Sequence, residues 1–435
     1  MEGLAAMEMN ETRFLTLLEK MINVAEQLQN NPAFGLIPKE ELVADMVLEV
    51  LKPFMKENGG VLEVQKINYV DNRSNLIIKY PGTTDKVCSF VGSHMDVVPA
   101  DRKEWERDPF VFSREGDLLY GRGTTDCLGH VAALTDFFCN LATIKPTLKH
   151  GIACVFIANE ENGTFAGIGV DELAKEGYLD ECKNGPLFWI DAADSQPCQG
   201  TAGVMQWSFT CSGKLFHSGL PHKGINAIEF AMDACTYIQG RFYADFPRHP
   251  QEDVYEFITA STLKPTQVNC IEGSLNQICP GCTVQGDIRL TPFYDMQVCK
   301  AAVEGYVADI NANPNIVLNS SHGNYSKYEI PELKGTVDLK WVTPGENGVA
   351  CNMKSPGFTA LCAATKHVLG EVKPYAINGS LPLIRELQEK GFDVQISGYG
   401  SSSHYHANNE CVSLQSMKNA SKIFSKLICI LEETA

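Results

Sequence analysis

The sequence is short of several things, and each shortage removes a class of protein. No apolar run approaches the ~20 residues needed to span a bilayer. The first residues, Met1 to Phe14, carry Glu2 and Glu8 and no basic cluster ahead of an apolar stretch, so they do not read as a secretory signal. Basic charge is scarce: 36 Lys and Arg stand against 53 Asp and Glu, a formal net charge of −17. Such a surface repels nucleic acid and anionic membrane, and neither is expected as a partner. Repeats and low-complexity tracts are missing too, which sets aside solenoids and disordered polar segments. The expectation is a cytoplasmic globular protein.

What is present supports a large core. Hydrophobic residues make up 44% of 435, a length that suits two domains. The 16 cysteines are scattered, and several, such as Cys88, Cys154 and Cys235, sit inside apolar runs. They read as buried free thiols of a reducing compartment. Phe14, Leu17, Leu18, Met21, Val24, Ala25 and Leu28 recur at helical spacing, so a helix is predicted over 11–29 with Asn10 as its N-cap. A second helix is predicted over 39–57, a third over 126–141 and a last over 413–431. Short apolar runs at 87–91, 152–158, 187–190 and 394–397 read as buried strands. Between them, strands over 204–212, 282–290 and 337–342 alternate with helices over 226–243 and 296–311. The fold class is therefore α/β, a mixed sheet flanked by helices, with an α+β unit inserted at 204–350 into a domain formed by 1–203 and 351–435.

Chemistry-bearing residues gather just past the predicted strands, where α/β sheets build their sites. His94 and Asp96 follow the first run, Glu160 and Glu161 the second, and Asp191 the third. Asp126 follows a Gly-Arg-Gly turn, and His406 follows a Gly/Ser loop. Two imidazoles and three carboxylates from this set (His94, Asp126, Glu161, Asp191, His406) suit zinc or a similar ion. One carboxylate can bridge two cations held ~3.5–4 Å apart. Asp96, two residues after His94, is placed to accept the ring N–H and fix the tautomer. Adjacent Glu160 and Glu161 point in different directions, one toward metal and one toward water. Each residue also has a plainer reading: a structural histidine, a helix N-cap at Asp126, a solvated Glu pair, a strand-end Asp191.

These segments, in their order, resemble the M20 metallopeptidase family. The resemblance rests on His94-Met-Asp-Val-Val-Pro, Gly121-Arg-Gly-Thr-Thr-Asp126 with Gly129, Glu160-Glu161, and His406-Ala-Asn-Asn-Glu410. It implies a dizinc catalytic domain with an inserted lid or dimerisation domain. It further implies that His94 and Asp191 hold one zinc, Glu161 and His406 the other, and that Asp126 bridges. Two Zn2+ per subunit are expected, with Co2+ able to substitute. Glu160 would be the general base, with Asp96 beside the first ligand. Gly213-Lys-Leu-Phe-His217-Ser218 matches the lid histidine that serves the partner subunit's site, so a homodimer is implied. Asn276, Arg289, Gly379 and Ser380 match substrate-binding positions. Leu128 stands where the family usually has Lys, and the residues after Asn276 are displaced by one.

Outside those motifs, Phe246-Pro-Arg-His-Pro-Gln-Glu, Leu290-Thr-Pro-Phe-Tyr-Asp and Leu381-Pro-Leu-Ile-Arg385 are similar to the plant-type acetylornithine deacetylase branch. The likeness implies hydrolysis of a small acylated amino acid, N2-acetyl-L-ornithine, in arginine biosynthesis. Aminoacylase, dipeptidase and carboxypeptidase activities share the same metal residues and stay open. So does a non-catalytic binding protein on this fold. Arg289 has its own alternative, an ion pair with Asp287.

Overall fold

The structure is a computed structural model that describes residues 2–162, 165–323, 325–381 and 383–434. Pro382, within the Leu381–Arg385 stretch, lies outside the described residues. The chain divides into two compact units. The first comprises Met1–Gln199, Cys351–Tyr375 and Pro382–Ala435. The second comprises Gly200–Ala350 with Ala376–Leu381. Gly379 and Ser380 thus belong with the second unit, although the sequence reading groups them with the first. Among the described residues no helix is long and apolar enough to cross a membrane.

The first unit is built on a mixed sheet. Its strands run Glu63–Val70, Arg73–Tyr80, Gly151–Ile157, Val87–His94, Pro186–Ala192 and Asp393–Gly398 in spatial order. The last four are mutually parallel, and the first two join antiparallel. Parallel strands are buried on both faces, which is why these runs read as continuously apolar rather than alternating. One face is covered by the helices Glu11–Ile22, Leu128–Ile144 and Leu414–Thr434. Phe90 packs against Phe137, Phe188 and Phe424 with ring centroids 6.1, 6.0 and 5.0 Å apart. Truncating such a buried ring to alanine costs about 3–5 kcal/mol. Gly92 has a positive φ of 98°, and a Cβ there would stand 2.4 Å from the Trp189 ring. Glycine is what lets the chain turn so tightly just before His94.

Two predicted helices are shorter than expected. Asn10 does cap the first, accepting from the Arg13 N–H at 3.0 Å, but that helix ends at Ile22 and continues as a 3-10 turn, Ala25–Leu28. The second ends at Leu51, because Pro53 cannot donate the N–H that the next turn requires.

The second unit is a four-stranded antiparallel sheet in the order Thr262–Cys270, Gly281–Leu290, Gly203–Ser212, Thr336–Trp341. Helices Ala227–Asp245 and Met296–Ala312 contribute to its core. Buried and exposed residues alternate along Gly203–Ser212, as one covered face requires. Trp207 and Phe209 stack within that core at 4.3 Å. The edge strand Thr262–Cys270 was not predicted. It carries Pro265, a bulge between Pro265 and Gln267, and a long exposed run, which suit an edge and hide the strand signal.

Candidate metal centre

Strand ends of the first unit deliver the polar groups, as α/β geometry favours. His94 ends Val87–His94, Asp191 lies near the end of Pro186–Ala192, and Glu160 and Glu161 follow Gly151–Ile157. Asp126 precedes the helix Leu128–Ile144 but does not cap it. The cap position is Cys127, which makes no capping bond. The Asp126 carboxylate instead spans two imidazoles. Its Oδ1 lies 2.9 Å from His94 Nε2, and its Oδ2 lies 3.3 Å from His406 Nε2. His94 Nε2 is also 3.4 Å from Asp191 Oδ1, and His406 Nε2 is 3.1 Å from Glu161 Oε2. Glu160 Oε2 stands 3.9 Å from His94 Nε2. All five expected ligands and Glu160 therefore converge at one place, with Asp126 between the two histidines. Glu160, Glu161 and Asp191 are buried to within 8% exposure of their side chains, so the Glu pair is not a solvated surface pair.

Electrostatics make this pocket a trap for positive charge. Burial pushes Glu160 well above the usual carboxyl range, and the charge of Asp191 adds to it. Burial and then Asp126 push Glu161 up to about 7, and burial raises Asp191. For Asp126 burial works the same way, but hydrogen bonds from His406 and His94 outweigh it and hold the carboxyl low. Burial opposes charge on His94, yet Asp191 and its other neighbours raise the imidazole well above its usual value. Hydrogen bonds to Asp126 and Glu161 push His406 up to about 11. Carboxylates this close either take up protons or gather cations, and the raised carboxyls of Glu160, Glu161 and Asp191 express burial together with that repulsion. Glu161 Oε1 is buried and has no hydrogen-bond partner among the described residues. An orphaned carboxylate oxygen in such a donor set fits divalent metal. Two groups have ligand atoms all within 4.8 Å of one another: His94, Asp126 and Glu161, and His94, Cys127 and Asp191. The Cys127 thiol, which the sequence pattern leaves out, thus lies among the candidate ligands. Its burial pushes the thiol well above its usual value.

The groups that position the ligands differ in part from expectation. The His94 Nδ1–H donates to the Asp96 backbone carbonyl at 2.9 Å, while the Asp96 carboxylate stands farther off, at 3.5 Å. The ring is still oriented with Nε2 toward the carboxylates, but mainly by the Asp96 main chain. The Asp96 carboxylate does something else. It accepts the backbone N–H of Glu160 and of Glu161, each at 3.1 Å, and the Asn30 amide at 2.7 Å. It thereby ties the Glu160–Glu161 turn to the His94 strand. Behind it, Asn30 and Arg73 both donate to Asn159 Oδ1, and Arg73 forks onto Glu40 at 2.6 and 2.7 Å.

Glu410 was quoted in the sequence only as the end of a motif. In the structure it organises the opposite side of the site. It accepts from the backbone N–H groups of Gly123, Thr125 and Asp126 at 3.0, 2.8 and 3.0 Å, and from Arg122 Nη1 at 2.8 Å. His130, also unpredicted, accepts the Tyr399 N–H at 2.8 Å and faces Cys127 Sγ at 3.2 Å. Burial lowers that imidazole to about 4.

The remaining expected residues belong to the second unit. His217 is exposed and pairs through its main chain with Gln277, and the Ser218 N–H donates to the Asn276 carbonyl at 2.9 Å. His217 and Asn276 are therefore neighbours. Arg289 Nε donates to Asp287 Oδ2 at 2.8 Å, the ion pair weighed as its alternative. Gly379 accepts the Ala202 N–H at 3.0 Å.

Comparison with known proteins places the chain in a family. Residues 90–429 match the model of peptidase family M20/M25/M40. The chain is 50% identical over 445 residues to an acetylornithine deacetylase of Dictyostelium discoideum, covering 99% of each chain. It is 50% identical to an acetylornithine deacetylase of Arabidopsis thaliana, covering 98% of this chain and 97% of the relative. Human carnosine dipeptidase 1 shares the fold, with a TM-score of 0.70 at 16% identity over 98% and 97% of the two chains. The chain belongs to the M20/M25/M40 peptidase family.

Proposed function

We propose that this chain is a metal-dependent amide hydrolase that converts N2-acetyl-L-ornithine to L-ornithine and acetate. The observation that carries the substrate is 50% identity over nearly the whole chain to two acetylornithine deacetylases. The chemistry is supported by the cluster of carboxylates around Asp126 with the buried His94 and the exposed His406.

In this reading His94 and Asp191 would hold one Zn2+ and Glu161 and His406 the second, with Asp126 shared between them and Co2+ able to substitute. Such ions supply a lowered pKa for coordinated water and polarisation of a carbonyl oxygen. Glu160 takes a proton from the attacking water and gives it to the departing amine. Its burial favours this role, since a raised carboxyl is a stronger base once ionised. Asp96 holds Glu160 in place through its backbone N–H. His217, from the partner in a homodimer, donates to the oxygen that gains charge as the acetyl carbon becomes tetrahedral. Arg289 clamps the α-carboxylate, at the end of its strand where the Gly379–Ser380 turn lies. Asn276, at the opposite end of that strand and next to His217, would come with it from the partner. Only Nε of Arg289 is engaged by Asp287, which leaves its terminal amino groups for a substrate. The setting of this reaction is cytoplasmic arginine biosynthesis.

Steady-state kinetics test the proposal. Acetylornithine is expected to give a higher kcat/KM than N-acetylmethionine or dipeptides. A chelator should abolish turnover, and added zinc should restore it. Acetylornithine ranking among the poorest substrates overturns the assignment.

A further inference from the structure

The second unit contains Cys279-Pro280-Gly281-Cys282, a Cys-x-x-Cys spacing that a reading of scattered buried thiols passes over. The fold brings a further cysteine to it. Strand Thr262–Cys270 pairs antiparallel with Gly281–Leu290, and the register sets Cys270 directly opposite Cys282. The Ile271 N–H donates to the Gly281 carbonyl at 2.9 Å, which makes that pair hydrogen-bonded. By the alternation of an antiparallel ladder, Cys270 and Cys282 are then the adjoining non-hydrogen-bonded pair, with Cα atoms about 4.5 Å apart and side chains at their closest. That spacing lies within the range a disulfide spans. The two sulfurs are 3.2 Å apart, and both thiols are free. Cys282 has a second cross-strand neighbour, Cys211. There the Gly213 N–H donates to the Pro280 carbonyl, so Cys211 and Cys282 fall on a hydrogen-bonded pair, where side chains splay apart.

We propose that Cys270 and Cys282 are an oxidation site, closing a reversible disulfide at the base of the 271–281 loop when the protein meets hydrogen peroxide. Cys270 is exposed and Cys282 buried, so the oxidant reaches Cys270 first. Burial also pushes the Cys282 thiol up to about 12, which disfavours its direct reaction with peroxide, since the thiolate is the reactive form. Peroxide oxidises the Cys270 thiol to a sulfenic acid and is itself reduced to water. The Cys282 sulfur then attacks the sulfenic sulfur, the S–S bond forms, and a second water leaves with the thiol proton. A dithiol reductant reverses the bond by exchange.

The loop so closed carries Asn276. Its main chain is laced to the His217 segment through Ser218 to Asn276 and through the Ile278 N–H to the Phe216 carbonyl at 2.8 Å. Fixing its base restricts how Asn276 and His217 adjust together around a ligand. This functional consequence rests on the deacetylase reading, whereas the disulfide itself does not.

The experiment treats the full-length, metal-loaded protein with hydrogen peroxide, then maps peptides by mass spectrometry without reduction and measures acetylornithine kinetics in parallel. The expected result is a Cys270–Cys282 cross-link, two hydrogens lighter, that dithiothreitol removes. With it KM should rise about fivefold or more, the lower end of ordinary coupling between sites, and recover on reduction. Cys270→Ser should keep the untreated activity, form no such link and lose the reversible KM change. A Cys279–Cys282 link instead, or sulfinic acid at Cys270 with no link, overturns the site. A link that forms while KM stays unchanged overturns its control of the loop. Absence of any acetylornithine turnover before oxidation sinks the deacetylase reading while the mass map still decides the disulfide.

Discussion

In the first unit the groups around the proposed metal ligands are buried and bind main chain. Asp96 accepts the amides of Glu160 and Glu161, and Glu410 accepts those of Gly123, Thr125 and Asp126. In the second unit His217 and Asn276 are exposed, Arg289 is half-buried, and each is held by its immediate neighbours. The first arrangement freezes a geometry before anything binds. The second leaves side chains room to settle around a ligand. Chemistry that tolerates little misplacement suits the first, and recognition suits the second.

Four measurements test that contrast. The largest effect is expected at the base. Glu160→Gln should lower kcat by about 100- to 10,000-fold while the metal content, read by atomic emission, stays that of the parent. His217→Ala comes next, losing about 100- to 1,000-fold in kcat with no change in the unfolding midpoint. A large loss of stability there would mean that the second unit is as rigid as the first. Glu410→Gln should weaken metal binding about 10- to 100-fold in competition with a chromophoric chelator. Unaltered metal affinity would show that the Asp126 loop needs no anchor.

The smallest effect concerns the same device away from the chemistry. Glu432 accepts the N–H groups of Lys149 and His150 at 2.7 and 2.8 Å and faces His150 Nδ1 at 2.8 Å. Burial alone would raise its carboxyl, but these bonds hold it below the usual value. A carboxyl depressed in the folded state stabilises above its unfolded pKa, and that stability is lost as pH falls through the folded value. Glu432→Gln should therefore cost about 1–2 kcal/mol near pH 7 in urea titrations, and the difference should close in acid. Kinetics should not move.

Much of the candidate site was legible in the sequence because a residue at the end of a buried strand announces itself: an apolar run stops and a His or carboxylate follows. The proposed ligands His94, Glu161 and Asp191 and the proposed base Glu160 all read this way. Their supports were not legible. Glu40 meets Arg73 across 33 positions and Glu410 meets Arg122 across 288, and no local pattern marks a partner that distant. Asp96 was singled out, but the sequence could not say that its carboxylate would be spent on the following glutamates rather than on the imidazole. In the second unit the core strands alternate and were found. The edge strand Thr262–Cys270 was not, because Pro265 and solvent exposure erase the signal that burial would have written.

The tie from Glu410 to the Asp126 loop bears on how the protein is made. A ribosome releases His94, Asp126, Glu160, Glu161 and Asp191 long before it reaches residue 410. Until then the amides of Gly123, Thr125 and Asp126 have no carboxylate to meet. The nascent first half can pair its strands, but the loop that aims Asp126 waits for nearly the last stretch of chain. The proposed metal capture would then fall at the end of synthesis, and a chain truncated before residue 410, which also lacks the helix Leu414–Thr434 from its core, should hold no ions firmly.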